Sequence, residues 1–295
     1  TRVSDDGCRR PPESSACEDC PVQRVVRAEL DLEIEGELDL ILQVAVAAGT
    51  PVIRETLRLD RDGRELTPTQ VTDAAGTRLH RLRVGAGPLA VRYDAVLRGE
   101  AAAVPASELD TAVYLRPSRY APSDSVFAQA RRQFGGLRGV ELLTAVEAFV
   151  AETISYSPGL SLGTDSALTT LATGQGVCRD YAHLVIALLR AMDVPARYAA
   201  CYAPGLVPMD FHAVAEAWID GRWLVVDATR LSNRHGLVRI ATGRDAADCA
   251  FLSYYGANLA LPRMMVDAWI EADEGTVAAT SDPLRDDRSG LVVLA

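Results

Sequence analysis

The stretch His212-Ala213-Val214-Ala215-Glu216-Ala217-Trp218-Ile219-Asp220-Gly221-Arg222-Trp223-Leu224-Val225-Val226-Asp227-Ala228-Thr229 reads as a single β-hairpin. Asp-Gly between two runs of strand-forming residues is the preferred two-residue turn. It pairs Ile219 with Arg222, and stepping outward sets Asp227 opposite Val214. His212 lies two positions further along the same face, so His212 and Asp227 are diagonal neighbours with Cβ atoms roughly 7 Å apart, within reach of an imidazole and a carboxylate. The other face holds Ala213, Ala215, Ala217, Ile219, Leu224, Val226 and Ala228, all apolar. That face is expected in a core, leaving the face of His212 and Asp227 to meet the helix that carries Cys178.

The helix is read from Tyr181, Leu184, Val185, Leu188, Leu189 and Met192, which recur at three- and four-residue steps before Pro195. Cys178 opens it, after Gly174-Gln175-Gly176-Val177. A sulfur in the first turn faces unpaired backbone N–H groups and the positive end of the helix dipole, and the glycines let the chain turn tightly and leave the sulfur accessible. A thiol needs a base, and an imidazole held by a carboxylate is one: the carboxylate fixes the tautomer while the second ring nitrogen takes the proton. Cys178, His212 and Asp227 are therefore the candidate catalytic residues.

Four blocks carry a family resemblance: Gly174-Gln175-Gly176-Val177-Cys178-Arg179-Asp180-Tyr181-Ala182, Val194-Pro195-Ala196-Arg197-Tyr198, His212 to Trp218, and Trp223 to Thr229. In this order, over roughly 140–230, the chain resembles the transglutaminase-like core of bacterial cysteine-peptidase-type proteins, and 236–251 resembles the tail of that bacterial branch. Val214 departs from the family pattern, where many members carry Trp. The resemblance implies a papain-like α+β core with a Cys, His, Asp triad that maps onto Cys178, His212 and Asp227. It implies attack by sulfur on a peptide or isopeptide amide and an acyl-enzyme released by water or by an amine. The oxyanion donors would be the Cys178 backbone N–H and an upstream group, with Gln175 and Tyr156 as candidates. Hydrolysis leads; a protein-glutamine acyltransferase, or a binding and assembly module that keeps the fold without activity, are the alternatives. Arylamine acetyltransferases use the same three residue types, but the surroundings of Cys178 do not resemble theirs.

The first half reads as β. Leu30, Leu32 and Ile34 alternate with acids, and after Gly36 the alternation resumes from Leu38 to Val46, predicting a hairpin with one buried face. Further strands are predicted at Val52–Leu59, Thr77–Val84 and Leu89–Leu97, which together suggest a small sandwich. The fold class expected is α+β, an N-terminal antiparallel β-sandwich followed by a transglutaminase-like core. The expected division is a disordered leader over 1–22, a β domain over 23–100, a Pro-rich linker over 101–125, the catalytic domain over 126–270 and a tail over 271–295.

With 30 basic against 40 acidic side chains the net charge is −10, which opposes nucleic-acid binding. Every basic residue is arginine, so the chain could not crosslink itself through a lysine amine. No apolar run is long enough for a membrane-spanning helix and no secretory leader is evident, so a cytoplasmic address is expected, with a peptide or protein as substrate and no membrane or nucleic-acid partner. No cofactor or metal is expected. Cys17-Glu18-Asp19-Cys20 has the gap of a zinc half-site, but with Cys8 it makes only three thiols, and no His or fourth Cys lies nearby. No alternating Asp/Asn run suggests calcium. Glu216, on the His212 face, is read as supporting the site or solvated. His183, about 140° around the helix from Cys178, is expected to point away from it. His80 and His235 read as surface imidazoles, Cys201 and Cys249 as buried structural thiols, and Asp180 as a partner for the helix dipole.

Overall fold

A computed structural model describes residues 23–99, 101, 106–271, 292 and 294. Seven strands come first: β1 (Gln23–Ile34), β2 (Leu38–Leu42), β3 (Val52–Arg61), β4 (Arg64–Leu66), β5 (Thr69–Thr72), β6 (Arg78–Val84) and β7 (Gly87–Arg98). Then follow α1 (Glu108–Val113), α2 (Phe127–Phe134), α3 (Gly139–Thr153), β8 (Ser155–Tyr156), α4 (Ala167–Thr173), β9 (Gln175–Gly176) and α5 (Cys178–Ala191). The chain ends in β10 (Ala196–Tyr202), β11 (His212–Ile219), β12 (Arg222–Val226), β13 (Val238–Gly243), β14 (Leu252–Gly256) and β15 (Leu259–Glu271).

Three antiparallel sheets organise these elements, in the orders β15-β1-β7-β3-β4, β14-β2-β6-β5 and β12-β11-β10-β13. Alternation builds the sandwich: Leu30 and Leu32 of β1, Leu89 and Val91 of β7, and Leu38, Leu40 and Leu42 of β2 share one buried core. The predicted hairpin around Gly36 does not form. β1 and β2 enter different sheets, because both alternating runs bury their apolar face into the space between the sheets rather than side by side. The strand pattern also stops at Leu42. Val44, Ala45 and Val46 are buried without pairing as a strand. The Tyr202 hydroxyl donates to Val44 O at 2.7 Å and Val46 N–H to the Tyr93 hydroxyl at 2.9 Å, so two tyrosines satisfy this crossing backbone.

The expected division of the chain meets a different topology. β14 pairs with β2 and β15 with β1, so 252–271, expected in the catalytic unit, complete the sandwich sheets. β15 is an edge strand, which tolerates Pro262; the register slips there, between Asp31↔Arg263 and Glu33↔Ala260. Within the expected linker, α1 is capped by Ser107, whose hydroxyl accepts from Asp110 N–H while Asp110 accepts from Ser107 N–H. The leader, with Cys8, Cys17 and Cys20, and the tail other than Glu271, Val292 and Leu294 lie outside the described residues. Among the described residues no helix is long and apolar enough to cross a membrane.

Candidate active site

The hairpin register is as the turn dictates. Ile219 pairs with Arg222, Trp218 with Trp223 and Ala215 with Val226, and both Asp220 (φ 48°) and Gly221 (φ 77°) occupy the left-handed region that a type I′ turn requires. His212 Nε2–H donates to Asp227 Oδ2 at 2.8 Å, with both side chains buried. A carboxylate only accepts, so this bond fixes the proton on Nε2 and leaves Nδ1 as the basic nitrogen.

The side of the sheet that faces the helix is opposite to the expectation. α5 packs on the alanine face: Ala213, Ala215 and Ala217 join Leu184, Val185 and Leu188 in the main core. Small side chains let a helix approach the sheet closely. The face of His212 and Asp227 is covered instead by a second cluster of Ala199, Cys201, Val214, Val225, Leu237 and Leu294. The imidazole nevertheless meets the sulfur because both stand at element starts: His212 opens β11, Cys178 opens α5, and both line one cleft of about 380 Å³. Nδ1 has no hydrogen-bond partner among the described residues. Burial disfavours the charged ring, but the Asp227 charge and hydrogen bond, with Cys178 beside the ring, outweigh it and push the His212 pKa up to about 10. The same pairing, with Thr229 and Arg234 adding to it, holds Asp227 below the usual carboxylate range despite its burial.

Asp227 is held more closely than the sequence reading foresaw. Its Oδ1 accepts from Thr229 N–H at 3.0 Å and from the Thr229 hydroxyl at 2.6 Å, and its Oδ2 also accepts from the Ser232 hydroxyl at 3.3 Å. Arg234 pairs with buried Glu147 of α3 and reaches Asp227 O at 3.5 Å, tying the loop after β12 to the helical layer. The Thr229 contact had a signal, since Asp-x-Thr at a strand end is the pattern of an Asx turn. Nothing local marks Glu147, which lies 87 residues from Arg234.

At the start of α5, Asp180 Oδ2 accepts from Val177 N–H at 2.8 Å and caps the helix. A Cβ on Gly176 would lie 2.6 Å from the Cβ of Asp180, so this turn has room only for glycine. β8 pairs with β9, Tyr156 against Gly176, which brings the tyrosine beside the nucleophile. Burial pushes the Tyr156 pKa up to about 12, against a hydrogen bond from the Cys178 backbone. Neither Gln175, exposed on β9, nor Tyr156 lines the cleft itself, but only the Tyr156 hydroxyl is in hydrogen-bond reach of the Cys178 backbone.

Other candidates fall away from the chemistry. His183 is fully buried, stacked on Tyr120 with the Tyr198 ring tilted against it; its Nε2 accepts from Ala246 N–H at 3.1 Å, and burial pushes its pKa down to about 3. Glu216 is not solvated: it is fully buried between Arg197 (2.7 Å) and Arg239 (2.7 Å). His80 is buried in the sandwich against Gln70, not at the surface. Cys201 and Cys249 are buried, and burial pushes both thiols up, whereas Cys178 is partly exposed. Among the described residues no cluster of His, Cys, Asp and Glu could hold a metal ion.

Comparison with known proteins identifies the fold family. Residues 129–228 match the family model described as the transglutaminase-like superfamily. A crystal structure from Cytophaga hutchinsonii, described as a candidate cysteine protease, is similar at 31% identity with a TM-score of 0.79, over 87% of this chain and 93% of that one. The uncharacterized protein ML0607 of Mycobacterium leprae is 28% identical over 145 residues, and the match spans 46% of this chain and about half of that protein, 52%. The periplasmic domain of TgpA from Pseudomonas aeruginosa matches at 20% identity and a TM-score of 0.39, over 72% of this chain and 90% of that one, a likeness that carries no argument here. The α+β architecture, the matched core and the relative that aligns along nearly its whole length agree: the chain belongs to the transglutaminase-like superfamily.

Proposed function

We propose that the chain is a thiol hydrolase acting on peptide or isopeptide amides through Cys178, His212 and Asp227. The observation that carries this reading is the polarity of the imidazole. Nε2 is committed to Asp227 at 2.8 Å, while buried Nδ1 has no partner among the described residues and Cys178 stands beside the ring. In the reaction, His212 Nδ1 takes the thiol proton as sulfur attacks the amide carbonyl. The C–N bond then breaks as the same nitrogen protonates the leaving amine. Water, activated by His212, attacks the thioester, releases the acid and returns the proton to sulfur. Asp227 keeps Nε2 protonated throughout and stabilises the imidazolium. The Cys178 N–H and the Tyr156 hydroxyl are the oxyanion donors in this reading. Partial exposure of Cys178 in an open cleft supports hydrolysis over transfer, since transfer requires water to be excluded.

A panel of peptide and isopeptide amides, run with and without an added alkyl amine and followed by mass spectrometry, tests the proposal. The expected result is cleavage with an acyl adduct on Cys178 and little amine incorporation. Turnover that persists in Cys178→Ala would overturn the mechanism, and amine incorporation exceeding hydrolysis would overturn the hydrolase assignment.

A further inference from the structure

The outer sheet of the sandwich has an edge that is open along most of its length. β3 pairs with β7 from Val52 to Asp60, but β4 covers only Leu59, Asp60 and Arg61 on the other side. Val52 to Arg58 therefore present a row of backbone N–H and C=O groups with no strand beside them among the described residues. Val52 and Ile53, at the start of this edge, are 38% and 55% exposed. Open edges with exposed β-branched residues are templates for a further strand.

Charge on the adjoining face selects the kind of strand. A concavity of about 370 Å³ is lined by Arg27, Arg54, Arg58 and Arg92 with Asp94 as its one acid. Arg27 is matched by Asp94 at 2.6 Å, and Arg92 by Asp31 at 2.5 Å. Arg54 and Arg58 are exposed and have no carboxylate partner among the described residues. Arg58 is set directly opposite Arg92 across the β3–β7 pair, an arrangement of like charges that weakens a sheet. The chain as a whole carries −10 and repels acidic ligands, so this local excess of guanidinium runs against the global field.

We propose that the β3 edge is a docking site for an extended acidic segment of a partner polypeptide, which pairs with Val52–Arg58 and places carboxylates on Arg54 and Arg58. Alternate residues share a face, and four residues of strand span about 13 Å, so acids at positions i and i+4 match the two arginines. Guanidinium forks donate to carboxylates in bidentate fashion, while the backbone ladder supplies affinity that does not depend on sequence.

The test uses the full chain and a fluorescein-labelled probe, Thr-Val-Glu-Val-Thr-Val-Glu-Val-Thr, read by fluorescence anisotropy. Arg54→Glu with Arg58→Glu is expected to weaken binding at least tenfold. Arg132→Glu with Arg138→Glu, which changes net charge equally on exposed positions elsewhere, is expected to leave it within twofold. Replacing both valines that flank the central Thr of the probe by Pro keeps both acids but removes the donors that an antiparallel strand turns toward the outward backbone groups of Glu55 and Leu57, and is also expected to cost at least tenfold. The proposal is overturned if the wild type does not bind the probe, if the Arg54/Arg58 variant or the proline probe binds within twofold of the parent, or if a uronic-acid oligosaccharide displaces the probe at equal concentration. If the glutamate pair lowers the thermal midpoint, Arg54→Ser with Arg58→Ser replaces it under the same criteria.

Discussion

Asp227→Asn changes one atom in the proposed triad and leaves its volume intact. In the wild type, Asp227 Oδ2 accepts from His212 Nε2–H while Oδ1 accepts from Thr229 N–H and the Thr229 hydroxyl. Asparagine cannot satisfy both sides. With its carbonyl toward Thr229, the amide N–H groups face Nε2 and force the ring proton onto Nδ1, the nitrogen that must accept the thiol proton. With its carbonyl toward His212, the amide opposes the Thr229 backbone N–H, and a partly buried donor is left unmatched at a cost of about 1 kcal/mol. The charge is lost in either case. Asp227 is the main cause of the rise of the His212 pKa from 6.5 to about 10, a preference for the protonated ring of roughly 5 kcal/mol. Losing that support predicts a fall in kcat/KM of roughly three orders of magnitude, with KM little changed. The assay is kcat/KM across pH 5 to 10 on the best amide of the panel, beside thermal unfolding to confirm the fold. An Asp227→Asn enzyme within tenfold of wild type, with the same pH profile, would exclude this role for Asp227.

Thr229→Val removes the 2.6 Å hydroxyl contact to Asp227, and is expected to reduce kcat/KM about five- to thirty-fold with a shifted pH profile, for a loss of about 1–2 kcal/mol. Thr229→Ser should keep most of the activity, and a Thr229→Val enzyme with wild-type kcat/KM and pH profile would exclude a positioning role. Glu216→Gln strips the charge from a buried group held by Arg197 and Arg239, and should cost about 3–5 kcal/mol in denaturant unfolding while leaving the pH dependence of activity unchanged. In the wild type, Glu216 has a folded pKa lowered to about 2, so its stabilisation is complete above the ordinary value of 4.5 and is lost as pH falls through 2. Acid unfolding between those limits should accordingly be less steep in Glu216→Gln.

Local signals made most of the site legible. Asp220-Gly221 fixed a register, and the register put His212 and Asp227 together before any tertiary information was needed. Cys178 was marked by the glycines before it and by the helical spacing after it. What local pattern could not supply was the layer order. The reading that the polar face meets the helix follows from pairing triad members across an interface, yet three alanines on the other face form the better seat for α5, and the contact with Cys178 is made at element ends. The failed hairpin at Gly36 has the same origin, since alternation specifies which face is buried but not which sheet a strand joins. β15 escaped because Pro262 and the pair Met264 and Met265 interrupt its alternation, and its partner β1 is more than two hundred residues earlier. Glu147 and Arg234, and the burial of Glu216 between two arginines, depend on contacts across the sheet and the helical layer.

Selective alkylation tests whether Cys178 is a nucleophile served by His212. The native protein is treated with iodoacetamide at pH 6, and the modified cysteine is mapped by mass spectrometry in wild type and in His212→Ala. Cys178 is expected to be labelled while Cys201 and Cys249, buried and with thiol pKa values raised, are spared, and His212→Ala is expected to slow labelling of Cys178 at least a hundredfold. Labelling of Cys178 that proceeds at the same rate without His212, or that does not occur in the native wild type, would contradict that role.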